Sequence, residues 1–197
     1  MSPQSFIFIG RSGCGKGTQA ELLIALLKKL DPSRTSLYIQ NGEEFRHFIK
    51  GSTLTQKLAK NIYDAGGLMP EFLSVYQWAN ALNERYTGDE HLIFDGMPRK
   101  PHETKVLESI FSFYKLNMPW VIDIEVNADE SFKRLMARKR QDDTEEDIKV
   151  RMSWFDTDVA PTIDYYRNNP VYKFLNVNGE RSVDDIHADI VKKLDLK

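Results

Sequence analysis

The stretch GRSGCGKGTQ, Gly10 to Gln19, lies between the apolar run SFIFI and the helical pattern AELLIALLKKL. Gly10, Gly15 and Lys16 satisfy the spacing G-x-x-x-x-G-K at a strand-to-helix junction. Without Cβ atoms, Gly10, Gly13 and Gly15 let the backbone curl until successive N–H groups point inward at phosphate oxygens, and the following helix adds the positive end of its dipole. Lys16 supplies a mobile charge for the outer phosphates of a nucleotide. The alternative is a plain glycine-rich turn, against which the lysine and both flanking elements argue. Gly17 follows Lys16, so the hydroxyl that such loops offer to magnesium is displaced to Thr18.

Other residues offer less specific chemistry. Asp95 ends an apolar strand pattern and fits either a metal-facing carboxylate or a helix cap. In RLMARKR, Arg134 and Arg138 are four apart and share a helix face, which reads as a solvated face or a phosphate clamp. A nucleic-acid patch would also carry aromatic residues for base stacking, and this run has none. Cys14 stands near a helix N-terminus and Lys16, a setting that favours thiolate, although a small buried filler is the preferred reading. The histidines, His47, His91, His102 and His187, show no ligand spacing and are expected on the surface or half-buried. Trp78, Trp120 and Trp154 are assigned to packing.

Positioning these groups requires alternating strands and helices. Strands are expected near Ser5–Ile9, Ser36–Ile39, His91–Phe94, Trp120–Val126 and Lys173–Val177. Helices are expected at Gly17–Leu30, Glu43–Ile49, Leu54–Ala65, Glu71–Tyr86, Pro101–Leu116, Asp129–Lys139, Thr144–Asn168 and Val183–Leu194. Short apolar strands joined by amphipathic helices make an α/β fold with a parallel sheet covered on both faces. The chain of 197 residues suits one such domain, with helical excursions at about 40–85 and 128–168 above the sheet. A single cysteine excludes an intrachain disulfide, and nothing at the N-terminus reads as a secretion signal, so a cytoplasmic setting is expected. No apolar stretch reaches the ~20 residues of a membrane span. The net charge of -2 gives no pull towards nucleic acid or acidic lipid.

GKGTQ resembles the phosphate loop of the adenylate kinase family, within the nucleoside monophosphate kinases. The resemblance continues in order along most of the chain: QNGEEFR ending at Arg46, GGLMPE from Gly66, FDGMPRK from Phe94, RLMARKRQDDTEEDIKVR from Arg134 and NGERSVDDI from Asn178. It implies a P-loop three-layer sandwich with a five-stranded parallel sheet, a helical monophosphate-binding excursion and a lid at about 134–151. The site residues it implies fall into two sets. Gly10, Gly13, Gly15, Lys16, Gly17, Thr18, Arg134 and Arg138 would hold ATP, with Arg134 stacked on the donor base. Asn41, Gly42, Arg46, Leu68, Met69, Gly96, Arg99, Glu103, Arg140 and Arg151 would hold the monophosphate. Lys16, Arg99, Arg138, Arg140 and Arg151 would be catalytic, and Asp95 would hold Mg2+ through water. Transfer between two polyanions asks for such converging cations more than for covalent chemistry.

The sequence departs from the family at several points. Only Lys139 separates Arg138 from Arg140, so the lid is minimal and expected to hold no zinc. Asp142 and Asp143 correspond to lid-closing residues, while Asp143 with Glu146 also fits a cap for the next helix. Ser12 replaces a usual proline, Asn41 a usual threonine, and Glu103 a glutamine that reads adenine. The expected activity is transfer of the γ-phosphate of Mg-ATP to AMP, by a protein whose partners are nucleotides rather than nucleic acid or membrane. Rivals are a UMP/CMP- or GMP-accepting kinase, an idle nucleotide-binding subunit and a GTPase-like switch. The last would carry N-K-x-D, and this chain has no Asn-Lys pair. Filled clamp positions argue against the idle subunit. Oligomeric state is not set by any feature of the sequence.

Overall fold

The computed structural model describes residues 2–138 and 144–196. Five strands, β1 (Ser5–Ile9), β2 (Ser36–Gln40), β3 (His91–Asp95), β4 (Trp120–Glu125) and β5 (Lys173–Asn178), form one sheet in the order β2-β3-β1-β4-β5. Every neighbouring pair is parallel. After β1 the chain crosses to β2 on one side, and after β3 it crosses to β4 on the other. The loop after β1 therefore sits at the topological switch point, where parallel sheets open a crevice for ligands.

Strand periodicity explains the two-sided core. Phe6 and Phe8 of β1 face one side, packed with Leu23 and Leu27 of α1 (Lys16–Leu30) and with Ile186 and Ile190 of α9 (Val183–Leu194). Ile7 and Ile9 face the other, against Trp78 and Leu82 of α4 (Glu71–Arg85), Leu107 and Phe111 of α5 (Pro101–Phe113), and Ile163 and Tyr166 of α8 (Ala160–Arg167). Because both faces are buried, β1 and β3 read as unbroken apolar runs rather than alternating ones. The excursion after β2 comprises α2 (Asn41–Phe48) and α3 (Leu54–Asp64), and has its own small core of Phe45, Ala59, Met69 and Leu73. The remaining helices are α6 (Ala128–Arg138) and α7 (Glu145–Trp154).

The single helix expected over 144–168 is instead α7, a π-helical turn (Phe155–Val159) and α8. Pro161 offers no N–H to the carbonyl four residues back, and widening one turn accommodates that loss without ending the helix. Thr144 caps α7, accepting from the Asp147 N–H at 3.2 Å, so the cap falls one residue after the expected Asp143 and Glu146. Asp143 itself lies outside the described residues. Helix α5 stops at Phe113 rather than Leu116, just before Lys115 takes a left-handed φ of 56°. His91 is fully buried, not half-exposed as expected, because its Nδ1 accepts the Gln4 N–H at 3.0 Å across the start of the sheet.

Candidate active site

Gly10 leaves β1 at a φ of 136°, and a Cβ there would stand 2.6 Å from the Ile124 carbonyl of β4. No other residue fits, so the loop passes tightly over the sheet and turns into α1 at Gly15. The Lys16 ammonium donates to the Gly10 and Arg11 carbonyls at 2.9 Å each and touches Cys14 Sγ at 3.5 Å. Burial pushes the Cys14 thiol up despite the adjacent Lys16 charge, so Cys14 is a buried filler rather than a thiolate. Gln19 donates from Nε2 to the Val183 carbonyl at 2.9 Å, tying α1 to the turn that carries Arg181 and Ser182.

Asp95 closes β3 and is buried. Its Oδ2 accepts from the Tyr38 hydroxyl at 2.8 Å and from Gln40 Nε2 at 2.9 Å, both on the neighbouring β2. Burial, reinforced by the Asp95 charge, pushes the Tyr38 phenol far above its ordinary value, so it remains a donor. The chain then passes through Gly96 and a cis Met97–Pro98 peptide to Arg99. The Arg99 Nε donates to the Gly96 carbonyl at 3.0 Å, and its guanidinium lies 5.5 Å from the Trp154 ring centroid. Its backbone N–H donates to Glu103 Oε2 at 2.7 Å. Burial lowers the Arg99 pKa, Glu103 and Asp95 oppose that, and the neighbouring Arg151 adds to the lowering. Two guanidiniums held near each other in a buried setting are stabilised by an anion between them. Burial also raises the Glu103 carboxyl, against the Arg99 N–H and charge that favour its ionised form.

Across from the loop, Arg46 donates from Nε to Glu43 Oε2 at 2.8 Å and reaches Gln40 Oε1 at 3.5 Å. Burial works against its charge, but the bonds to Glu43 and Tyr63 raise its pKa overall. Asn41 is buried and donates to Ser74 Oγ at 3.2 Å, while its Oδ1 has no partner among the described residues. On the opposite flank, Arg134 Nε donates to Glu130 Oε1 at 2.7 Å, one turn back along α6.

These groups line one cavity of about 840 Å³. From the loop, α1 and α6, on the flank towards β5, come Gly10, Gly13, Gly15, Lys16, Gly17, Thr18, Arg134 and Arg138. From α2, the α3–α4 connection, the turn after β3 and the start of α5 come Asn41, Gly42, Arg46, Leu68, Met69, Gly96, Arg99 and Glu103. Asp95 and Arg151 also line it. Arg140, Lys139 and Asp142 lie outside the described residues. Trp154 corrects its packing assignment: it faces the cavity, as do Phe155 and Ser74, none of which sequence reasoning selected. Gln40, which orients Asp95, was likewise missed, although it begins the QNGEEFR block.

A phosphate loop at the switch point of a parallel sheet, opening into a cavity shared with an arginine-bearing helical excursion, defines a P-loop nucleoside monophosphate kinase. The family model described as Adenylate kinase matches residues 8–171. Similar curated proteins include an adenylate kinase of Bacteroides thetaiotaomicron, 31% identical over 97% of this chain and 98% of its own. An adenylate kinase of Corynebacterium urealyticum is 32% identical over 96% of this chain and 98% of its own. Adenylate kinase 1 of a Nostoc species is 32% identical over 93% and 95%. The chain belongs to the adenylate kinase family.

Proposed function

We propose that this protein transfers the γ-phosphoryl group of ATP to AMP, giving two ADP. The observation that carries this is one shared cavity, in which the phosphate loop and a second set of cations from α2, the β3–α5 turn and α7 meet. In this reading the donor phosphates lie in the loop against Lys16, with Arg134 and Arg138 along the donor flank. Arg46 and Arg99 grip the acceptor phosphate, and Arg138, Arg140 and Arg151 neutralise charge on the transferring group. Catalysis is then positioning plus electrostatic stabilisation, with the acceptor phosphate oxygen as nucleophile and ADP as leaving group.

A hard cation fits the oxygen donors of the site. Asp95 and Thr18 line the cavity, and glycine at position 17 keeps a side chain out of contact with Asp95, since a Cβ there would stand 3.5 Å from Asp95 Oδ2. Among the described residues no group of three or more His, Cys, Asp or Glu gathers, which suits a Mg2+ held mainly by nucleotide phosphates and water. Mg2+ bound there would supply charge neutralisation at the donor phosphates. No helix of the described residues is long and apolar enough to cross a membrane, and a cytoplasmic setting completes the reading.

Glu103 bears on the acceptor base. The Arg99 N–H engages Oε2 and the Ser74 side chain also bonds the carboxylate, so little acceptor capacity is left for a ligand. A single acceptor suits the lone amino group of adenine better than the paired N1 and N2 donors of guanine. A coupled assay of ATP with AMP, GMP, CMP, UMP and dTMP tests the proposal. AMP is expected to give the highest kcat/KM; another acceptor in first place replaces the acceptor assignment, and no transfer to any of them overturns the proposal.

A further inference from the structure

Residues 96–100 belong to no helix or strand, so no ladder of backbone bonds holds Arg99 where it stands. Side chains do so instead. Its N–H is taken by Glu103 of α5, and its carbonyl accepts from the Thr162 hydroxyl of α8 at 2.7 Å. Thr162 is fully buried on a helix face otherwise made of Val159, Ile163 and Tyr166. Its hydroxyl also lies 3.1 Å from the Asp158 carbonyl one turn back, but it has a single proton and the Arg99 contact is the shorter. Trp154, the last residue of α7 just before the π turn that leads into α8, also meets Arg99, its ring 5.5 Å from the guanidinium.

We propose that Thr162 is a positioning residue for Arg99: its hydroxyl fixes the Arg99 carbonyl opposite Glu103 and so sets the direction of the guanidinium in the cavity. The inference rests on the assignment of Arg99 to the reacting phosphates. Thr162→Val keeps the side-chain shape, removes the donor and leaves the Arg99 carbonyl without that partner. Displacing a cation from its productive geometry costs turnover more than ground-state binding.

The test compares Thr162→Val, Thr162→Ser, Arg99→Ala and the double variant Thr162→Val/Arg99→Ala, with folding checked by thermal unfolding. Thr162→Val is expected to lower kcat about tenfold with the KM for ATP unchanged, Thr162→Ser to recover most of that loss, and the valine to cost nothing more once Arg99 is alanine. Wild-type turnover in Thr162→Val, or an equal loss with and without Arg99, overturns the inference. Near-normal turnover in Arg99→Ala overturns the Arg99 assignment and the inference with it, which separates the two failures. Thr162→Ala enters the same comparisons in place of valine if that variant does not fold.

Discussion

Glu103 carries two duties that pull in different directions. One oxygen holds the backbone of Arg99, and the residue is buried in the wall of the cavity. A glutamine could still accept the Arg99 N–H while its amide offers a donor to adenine N1, which a carboxylate cannot. Glu103→Gln is therefore expected to raise kcat/KM for AMP relative to GMP by ~1–3 kcal/mol, the range for satisfying a buried polar group in a specificity pocket. Steady-state kinetics with both acceptors measures this. An unchanged ratio would confine Glu103 to holding Arg99. This residue shows how far sequence alone reaches: four positions after Arg99 marks it as a pocket group, but not that its carboxylate is already half engaged. Thr162 and Trp154 were not legible at all, since helical periodicity separates inward from outward faces without telling core from cavity.

At the scale of elements, the excursion after β2 and α7 meet directly. Gly66, with a φ of 64°, ends the turn after α3, and a Cβ there would stand 2.9 Å from the Cα of Asp147 in the first turn of α7. In the proposed reading this close approach helps to exclude water from the site, because it brings α7 down onto the excursion after β2. Gly66→Ala is strained by its backbone angle and by the contact, and is expected to part the two elements. The predicted consequence is a several-fold rise in phosphate released from ATP per ADP formed by transfer, measured by product analysis with and without AMP. An unaltered partition would show that this contact does not govern water access. Strand and helix positions were legible because buried parallel strands leave short apolar runs between amphipathic periods. The π turn was not, since only Pro161 hinted at a break and a proline alone does not say whether a helix kinks, ends or widens.

For the molecule as a whole, burial of polar groups makes stability depend on pH. Asp123 of β4 is almost wholly buried, and this desolvation lifts its pKa to about 6 against the opposing Asn176 hydrogen bond and Arg167 charge. A carboxyl that is harder to ionise folded than unfolded favours folding while both states are protonated. That contribution fades as pH rises from about 4 through about 6, and above this the folded state carries a constant penalty. Asp123→Asn, neutral throughout, is expected to gain stability over the natural protein between pH 5 and 7, by on the order of 1–3 kcal/mol, and to gain no more above pH 7. Urea unfolding at several pH values checks the trend, and a difference that shrinks as pH rises would contradict it. The central claim is that two nucleotides share one cavity with their phosphates meeting between Lys16 and Arg99. Calorimetric titration with a molecule joining two adenosines through five phosphates tests it most directly. Joining the halves makes the second contact intramolecular, so the account predicts one molecule bound per chain, far more tightly than ATP or AMP alone. Two molecules bound per chain, or an affinity no better than that of ATP, would contradict it.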